Sequence, residues 1–180
     1  GRTGYGIWIH GVPRDTYSRP PLASDGCVTL SNADFQVLRP LLEATERPPV
    51  VLADRLEWVS GEDAAAADVG LEAALDAWRR DWESLDPEAY ARHYAQDFSA
   101  GDRDRSAWLE RKRRVNARKD FIRVRLDQVS MFLDPADEDL ALVVFRQDYD
   151  SSNYSGVADK RQYWRRGADG RWRIVYEGPA

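Results

Sequence analysis

Apolar positions change their period along this chain, and the change divides it. From Asp68 onward, Leu71, Ala74, Leu75, Trp78, Trp82 and Leu85 recur at helical spacing and share one broad face. Asp86-Pro87 then supplies an N-cap and a proline at the first helical position, which predicts a second helix through Tyr90, Tyr94 and Phe98. A third helix is expected over residues 106–119. After it the period becomes two. Ile122, Val124 and Leu126 lie on one strand face, whereas Val129, Met131 and Leu133 fall on the opposite parity, and a β-bulge near Asp127-Gln128 reconciles them. A strand over 140–149 follows, and 157–166 with 171–177 reads as a hairpin turning through Ala168-Asp169-Gly170. Three helices followed by four long antiparallel strands predict an α+β unit with a curved sheet wrapped over the helices.

The first 60 residues carry turn chemistry and little helix signal. Gly4-Tyr5-Gly6 precedes a short strand ending at His10, Gly11-Val12-Pro13 breaks it, and Arg19-Pro20-Pro21 stiffens the loop beyond. Ser31 or Asn32 can cap a helix through residues 34–38, and Val50-Val51-Leu52 reads as a short buried strand. The stretch from Trp58 through the alanines ending at Ala67 reads as a linker or a helix start. The expected organisation is therefore residues 1–60, a linker over 61–67, and a second domain over 68–180. Ile7-Trp8-Ile9 needs sheet neighbours, because a lone short strand is not stable. Without them it would fray or pair with a second copy, so a homodimer is one expectation.

Composition narrows the function classes. The 180 residues carry a net charge of −5, which gives no global reason to bind nucleic acid. No apolar run approaches the ~20 residues of a membrane span. One cysteine cannot form an intrachain disulfide. There is no P-loop, zinc-ligand or dinucleotide signature, so no cofactor or metal is expected. The chain opens on Gly1-Arg2-Thr3-Gly4 with neither an initiator Met nor a signal peptide, as a piece of a longer protein would.

That cysteine, Cys27, lies in Ser24-Asp25-Gly26-Cys27-Val28-Thr29-Leu30, and His10 lies in Ile7-Trp8-Ile9-His10-Gly11. A thiol needs a base to act as a nucleophile near neutral pH, and a lone Cys with a distant His is the minimal set for that chemistry. Gly26 permits a sharp turn before Cys27, where successive backbone N–H groups can face an oxyanion. Taken alone, Cys27 reads rather as a small hydrophobe to be buried, as most lone cysteines are.

The surrounding residues favour the nucleophile. Ile-His-Gly, a loop, then Ser-Asp-Gly-Cys-Val-Thr-Leu-Ser-Asn-Ala-Asp resembles the active-site signature of the YkuD-type L,D-transpeptidases, cell-envelope enzymes that remodel peptidoglycan. Asp25 stands where the family usually has His. The resemblance covers the C-terminal part of the catalytic domain and implies that preceding β-strands are missing. It implies Cys27 as nucleophile, His10 as base, and the Gly11 carbonyl as the group holding the imidazole tautomer. Backbone N–H groups of Gly26 and Cys27, with Asp25, would form the oxyanion hole. Ser24, Thr29, Arg14 and Arg19 are candidate substrate contacts, the arginines through stem carboxylates or else as solvated loop cations. The substrate would be a peptidoglycan tetrapeptide stem, the intermediate a thioester, and the location the periplasm or cell envelope.

The order of elements over 68–180 resembles the NTF2-like (SnoaL-like) cone found behind some L,D-transpeptidase domains, with Phe145-Arg146-Gln147-Asp148-Tyr149, Tyr163-Trp164 and Trp172-Arg173-Ile174-Val175 in its strands. Tyr149, Tyr163, Trp164 and Trp172 are expected to fill the cone. A non-catalytic module that binds wall fragments or a partner protein is the alternative function. Arg111-Lys112-Arg113-Arg114, with Arg118, Lys119, Arg123 and Arg125, is either a solvated face or an attractor of the anionic wall. His93 and Asp97, one helical turn apart on the expected second helix, read as a surface pair.

Overall fold

A computed structural model describes residues 8–13, 24, 26–44, 50, 61–134 and 136–180, and the side chains of 61–69 lie outside that description. The chain divides into two compact units, Gly1–Leu52 and Ala53–Ala180.

In the first unit, strand β1 (Ile9–His10) pairs in parallel with β2 (Val28–Thr29), Ile9 opposite Val28 and His10 opposite Thr29. The expected lone strand thus has a neighbour within the chain. Backbone bonds from Val28 N to Trp8 O and from Leu30 N to His10 O, 2.9 and 3.0 Å, close the pair. Helix α1 (Asn32–Glu43) starts where expected because Ser31 caps it, its Oγ accepting from Asp34 N at 3.1 Å. No residue of α1 is buried. Of the expected strand at 50–52, only Val50 is among the described residues, and it is not in a strand.

The second unit begins with α2 (Gly61–Glu83), so residues 61–67 form the first turns of a helix. Leu71, Leu75, Trp78 and Trp82 are buried along the predicted face. Helix α3 (Pro87–Ala91) is capped by Asp86, whose carboxylate accepts from Glu88 N and Ala89 N. It stops after five residues. Strand β3 (Tyr94–Ala100) replaces the rest of the expected second helix, with Tyr94, Phe98 and Ala100 buried on one strand face. A four-residue spacing of aromatics suits both a helix face and every second inward position of a strand, which is why the pattern misled. Strand β4 (Arg103–Asp104), helix α4 (Arg105–Asn116) and strands β5 (Ile122–Asp134), β6 (Asp137–Ser151), β7 (Tyr154–Arg166) and β8 (Trp172–Pro179) complete the unit.

These strands form a mixed six-stranded sheet in the order β4-β3-β8-β7-β6-β5, and only β3 against β8 is parallel. The parity change in β5 is a register shift between Asp127 and Ser130, with Gln128 at φ 51°. A second shift in β8 has more consequence. Tyr163 pairs with Tyr176 and Trp164 with Ile174, so Val175 is an extra residue. That bulge ends the inward alternation of Trp172 and Ile174 and turns Glu177 into the core.

Candidate functional sites

Cys27 lies directly before β2 and is partly buried, as is His10 on β1. The register sets Ile9 opposite Val28 and His10 opposite Thr29, so Cys27 lies one residue before the segment that pairs with the strand of His10. Gly26 has φ +117°, a backbone conformation that side chains disfavour, in the bend directly before Cys27. His10 Nδ1 lies 2.6 Å from the carbonyl oxygen of Gly11; a proton there leaves Nε2 as the basic nitrogen. A Cβ on Gly11 would collide with Asn32 Oδ1 at the start of α1, so the Asn32 side chain packs directly against this glycine. Ser24 Oγ donates to the Cys27 carbonyl, which occupies that hydroxyl in the turn. Thr29 Oγ1 is buried with no hydrogen-bond partner among the described residues. Asp25, Arg14 and Arg19 lie outside the described residues.

The cone holds a polar chain that sequence reasoning missed. Trp78 Nε1 donates to Tyr94 Oη (3.0 Å), and Tyr94 Oη, hydrogen-bonded to Tyr90 Oη, donates to Glu177 Oε2 (3.3 Å). Gln162 Nε2 donates to the same oxygen at 3.1 Å, and Gln162 Oε1 accepts from Trp164 Nε1. Lys160 Nζ lies 4.0 Å from the other Glu177 oxygen. Burial, and next the charge of Glu177, pushes both tyrosine hydroxyls well above their ordinary pKa. Glu177 could have been found only by locating the bulge at Val175.

The basic run on α4 splits by position. Arg113 pairs with Glu110, Arg123 lies 3.9 Å from Asp150, and Arg125 bonds Asp148 at 2.9 Å, as solvated ion pairs would. Lys112 instead turns inward, its Nζ 4.1 Å from the Trp82 ring centroid and 4.8 Å from that of Trp108. Burial lowers its pKa to about 8 despite the opposing pull of Glu177. Beside it opens a cleft of about 820 Å³, lined by Arg111, Lys112, Arg114, Arg118, Lys119 and Lys160, with Trp82, Tyr149 and Tyr154. Among the described residues no carboxylate lines it. Gln147, buried at 7% exposure, also lines it, and its Oε1 has no partner among the described residues. Such a site suits an anionic ligand with apolar or sugar faces. Tyr149, Trp164 and Trp172 are buried as core, as expected, whereas Tyr163 packs on Tyr176 at the opposite side of the bulge.

His93 is not paired with Asp97. It precedes β3, and its Nε2 lies 2.8 Å from Asp81 of α2, while Asp97 binds Arg165 at 2.7 Å. The expected helix that would have joined them ends too early. Among the described residues, no group of three or more His, Cys, Asp or Glu is placed to hold a metal, and no helix is long and apolar enough to cross a membrane.

Helices packed on a curved six-stranded sheet around this chain of polar groups make the second unit an NTF2-like cone. Residues 70–178 match the Cds6 C-terminal NTF2-like domain, and the chain belongs to that family. Residues 1–52 match the L,D-transpeptidase catalytic domain, YkuD. Among solved structures, Bd1075 of Bdellovibrio bacteriovorus is 27% identical with a TM-score of 0.79, over 99% of this chain and 62% of that one. The helical cell shape determining protein Pgp2 of Campylobacter jejuni is 25% identical with a TM-score of 0.71, over 98% and 62%. An NTF2-like protein of Pseudomonas putida shares the fold alone, at 19% identity and TM-score 0.55, over 63% of this chain and 85% of that one. This chain thus spans about three fifths of the length of the first two. The comparison with curated proteins finds no match.

Proposed function

We propose that the protein is a cysteine L,D-transpeptidase or L,D-carboxypeptidase that remodels peptidoglycan tetrapeptide stems in the periplasm or cell envelope. The observation that supports the reading is the catalytic-domain match over residues 1–52, together with the pairing of β1, which carries His10, and β2, which begins directly after Cys27. His10 takes the thiol proton, and Cys27 Sγ attacks the carbonyl of the third stem residue. Backbone N–H groups of Gly26 and Cys27, with Asp25, stabilise the oxyanion. The carbon–nitrogen bond then breaks, His10 returns the proton to the departing D-alanine amine, and a thioester remains. An amine attacking the thioester gives a cross-link, water gives a tripeptide, and either frees the thiol. The Gly11 carbonyl holds the imidazole tautomer, and Ser24, Thr29, Arg14 and Arg19 flank the stem. The division into domains at 1–60 and 68–180 belongs to this reading.

A second reading, in which the cone binds wall fragments, is favoured by the six cations of its cleft with no lining carboxylate among the described residues. The two are compatible: one unit cuts or joins the stem while the other holds the anionic wall. In the full-length protein, Cys27→Ala and His10→Ala each lower tetrapeptide processing by about 10³-fold or more while sacculus binding survives. Lys160→Ala with Arg118→Ala does the reverse. Normal turnover by Cys27→Ala contradicts the first reading, and unchanged sacculus binding by the double variant contradicts the second.

A further inference from the structure

A second cleft, of about 870 Å³, lies between α2 and the segment from Arg92 to Gln96, and none of its lining residues lines the cleft beside Lys112. On the α2 side Gly70, Ala73 and Ala74 leave the wall low, and facing it are Arg92, His93, Arg105 and the Arg171–Arg173 turn. Two of its four guanidinium groups are fixed. Arg105 donates to the carbonyls of Tyr94 and Ala91, each at 3.1 Å, and Arg173 is bonded to Asp169. Arg92 and Arg171 are exposed, and neither side chain has a hydrogen bond or ion pair among the described residues. Among the described residues the one carboxylate in the lining is Asp81, already engaged by His93 Nε2 at 2.8 Å, and the His93 side chain is only 13% exposed.

We propose that this cleft is a binding site for an oxyanion-bearing ligand, whose carboxylate or phosphate is held by Arg92 and Arg171 beside the His93–Asp81 pair. Guanidinium forks match both oxyanions bidentately and keep their charge at every relevant pH. Arg105, tied down by its bonds to two carbonyls, adds fixed positive potential at no ordering cost when a ligand arrives, whereas the charge of Arg173 is balanced by Asp169. The Asp81 carboxylate 2.8 Å from His93 Nε2 fixes the orientation of the ring at the edge of the cleft. The chain as a whole carries a charge of −5, so Arg92, Arg105 and Arg171, none of them paired with a carboxylate among the described residues, are a local concentration against the global field. At this volume the cleft admits a peptide or sugar fragment rather than an ion alone.

The test is a titration of the full-length protein, followed by amide NMR shifts, with inorganic phosphate and acetate as minimal probes. A soluble tetrapeptide stem and a glycerol-phosphate oligomer serve as the two ligand sources. Saturable shifts are expected at residues 92–96 and 170–173. The exposed pair Arg92→Ala with Arg171→Ala weakens that binding at least tenfold, while Lys160→Ala leaves it unchanged. Tighter binding of the stem identifies a carboxylate ligand, and tighter binding of the oligomer a phosphate; both support the site. Absence of saturable shifts at these positions, or wild-type affinity in the double arginine variant, overturns it.

Discussion

Cys27 stands in a unit whose described sheet is two strands of two residues each and whose helix α1 buries nothing, whereas the cone removes Trp78, Trp164, Ile174 and Val143 entirely from water. The two regions therefore hold their sites by different means. Around Cys27 the placement comes from backbone: one ladder register, a glycine at positive φ, and a carbonyl on a ring nitrogen. In the cone, placement comes from packing, with aromatic rings 4.9 to 6.0 Å apart around the Tyr94–Glu177 chain. Local backbone devices leave a strong signature in a short stretch of sequence. Packing devices do not, because their partners lie on distant elements.

Cutting the packing should have the largest effect. Trp164→Ala removes a fully buried ring and a donor to Gln162, and is expected to cost about 3–5 kcal/mol in urea unfolding of the second unit. Leu41→Ala on α1, at 65% exposure, should change stability by less than about 0.5 kcal/mol. Equal losses at the two positions would remove the contrast.

Hydrogen exchange sharpens the same comparison without mutation. Amides of β6, paired on both sides by β5 and β7, should exchange only through opening of the whole unit. Those of β1 and β2 have one partner each and should exchange far sooner. Matching protection in both regions would mean that the first unit has more support than its described contacts provide.

Lys112 offers a smaller effect with a definite sign. Burial lowers its pKa from 10.5 to about 8, so between those values the unfolded chain holds a proton that the folded chain has lost. Stability from this group is then fully present above 10.5 and is lost as pH falls through about 8. Lys112→Met should raise the melting temperature at pH 7 and flatten its rise between pH 8 and 10.5. An unaltered pH profile would place the ammonium in solvent. The smallest effect is reserved for Arg113→Ala on the same helix, whose partner Glu110 is exposed; it should cost no more than about 0.5 kcal/mol by thermal melting.

That pair of neighbours shows where reading the sequence stops. Arg111-Lys112-Arg113-Arg114 is four cations in a row, yet helical geometry sends Lys112 onto Trp82 and Trp108 and leaves Arg113 in water. Nothing local distinguishes them. By contrast, the face of α2, the bulge at Asp127-Gln128 and the Ser31 cap were all readable, since each is written within a dozen residues. Strand β3 was lost to a spacing that suits either structure, and Glu177 to a bulge on a strand whose alternation otherwise looked regular. The Cys27 and His10 segments were legible as a motif before their strands were seen to pair.

Acylation of the thiol tests the central claim most directly. Full-length protein incubated with a carbapenem, whose strained carbonyl is open to a thiolate, should gain the mass of one adduct. Peptide mapping should place the adduct on Cys27, with none formed by Cys27→Ala and formation greatly slowed in His10→Ala. An unchanged mass in protein that still processes tetrapeptide stems, or an adduct on any other residue, would contradict the assignment of Cys27 as the nucleophile.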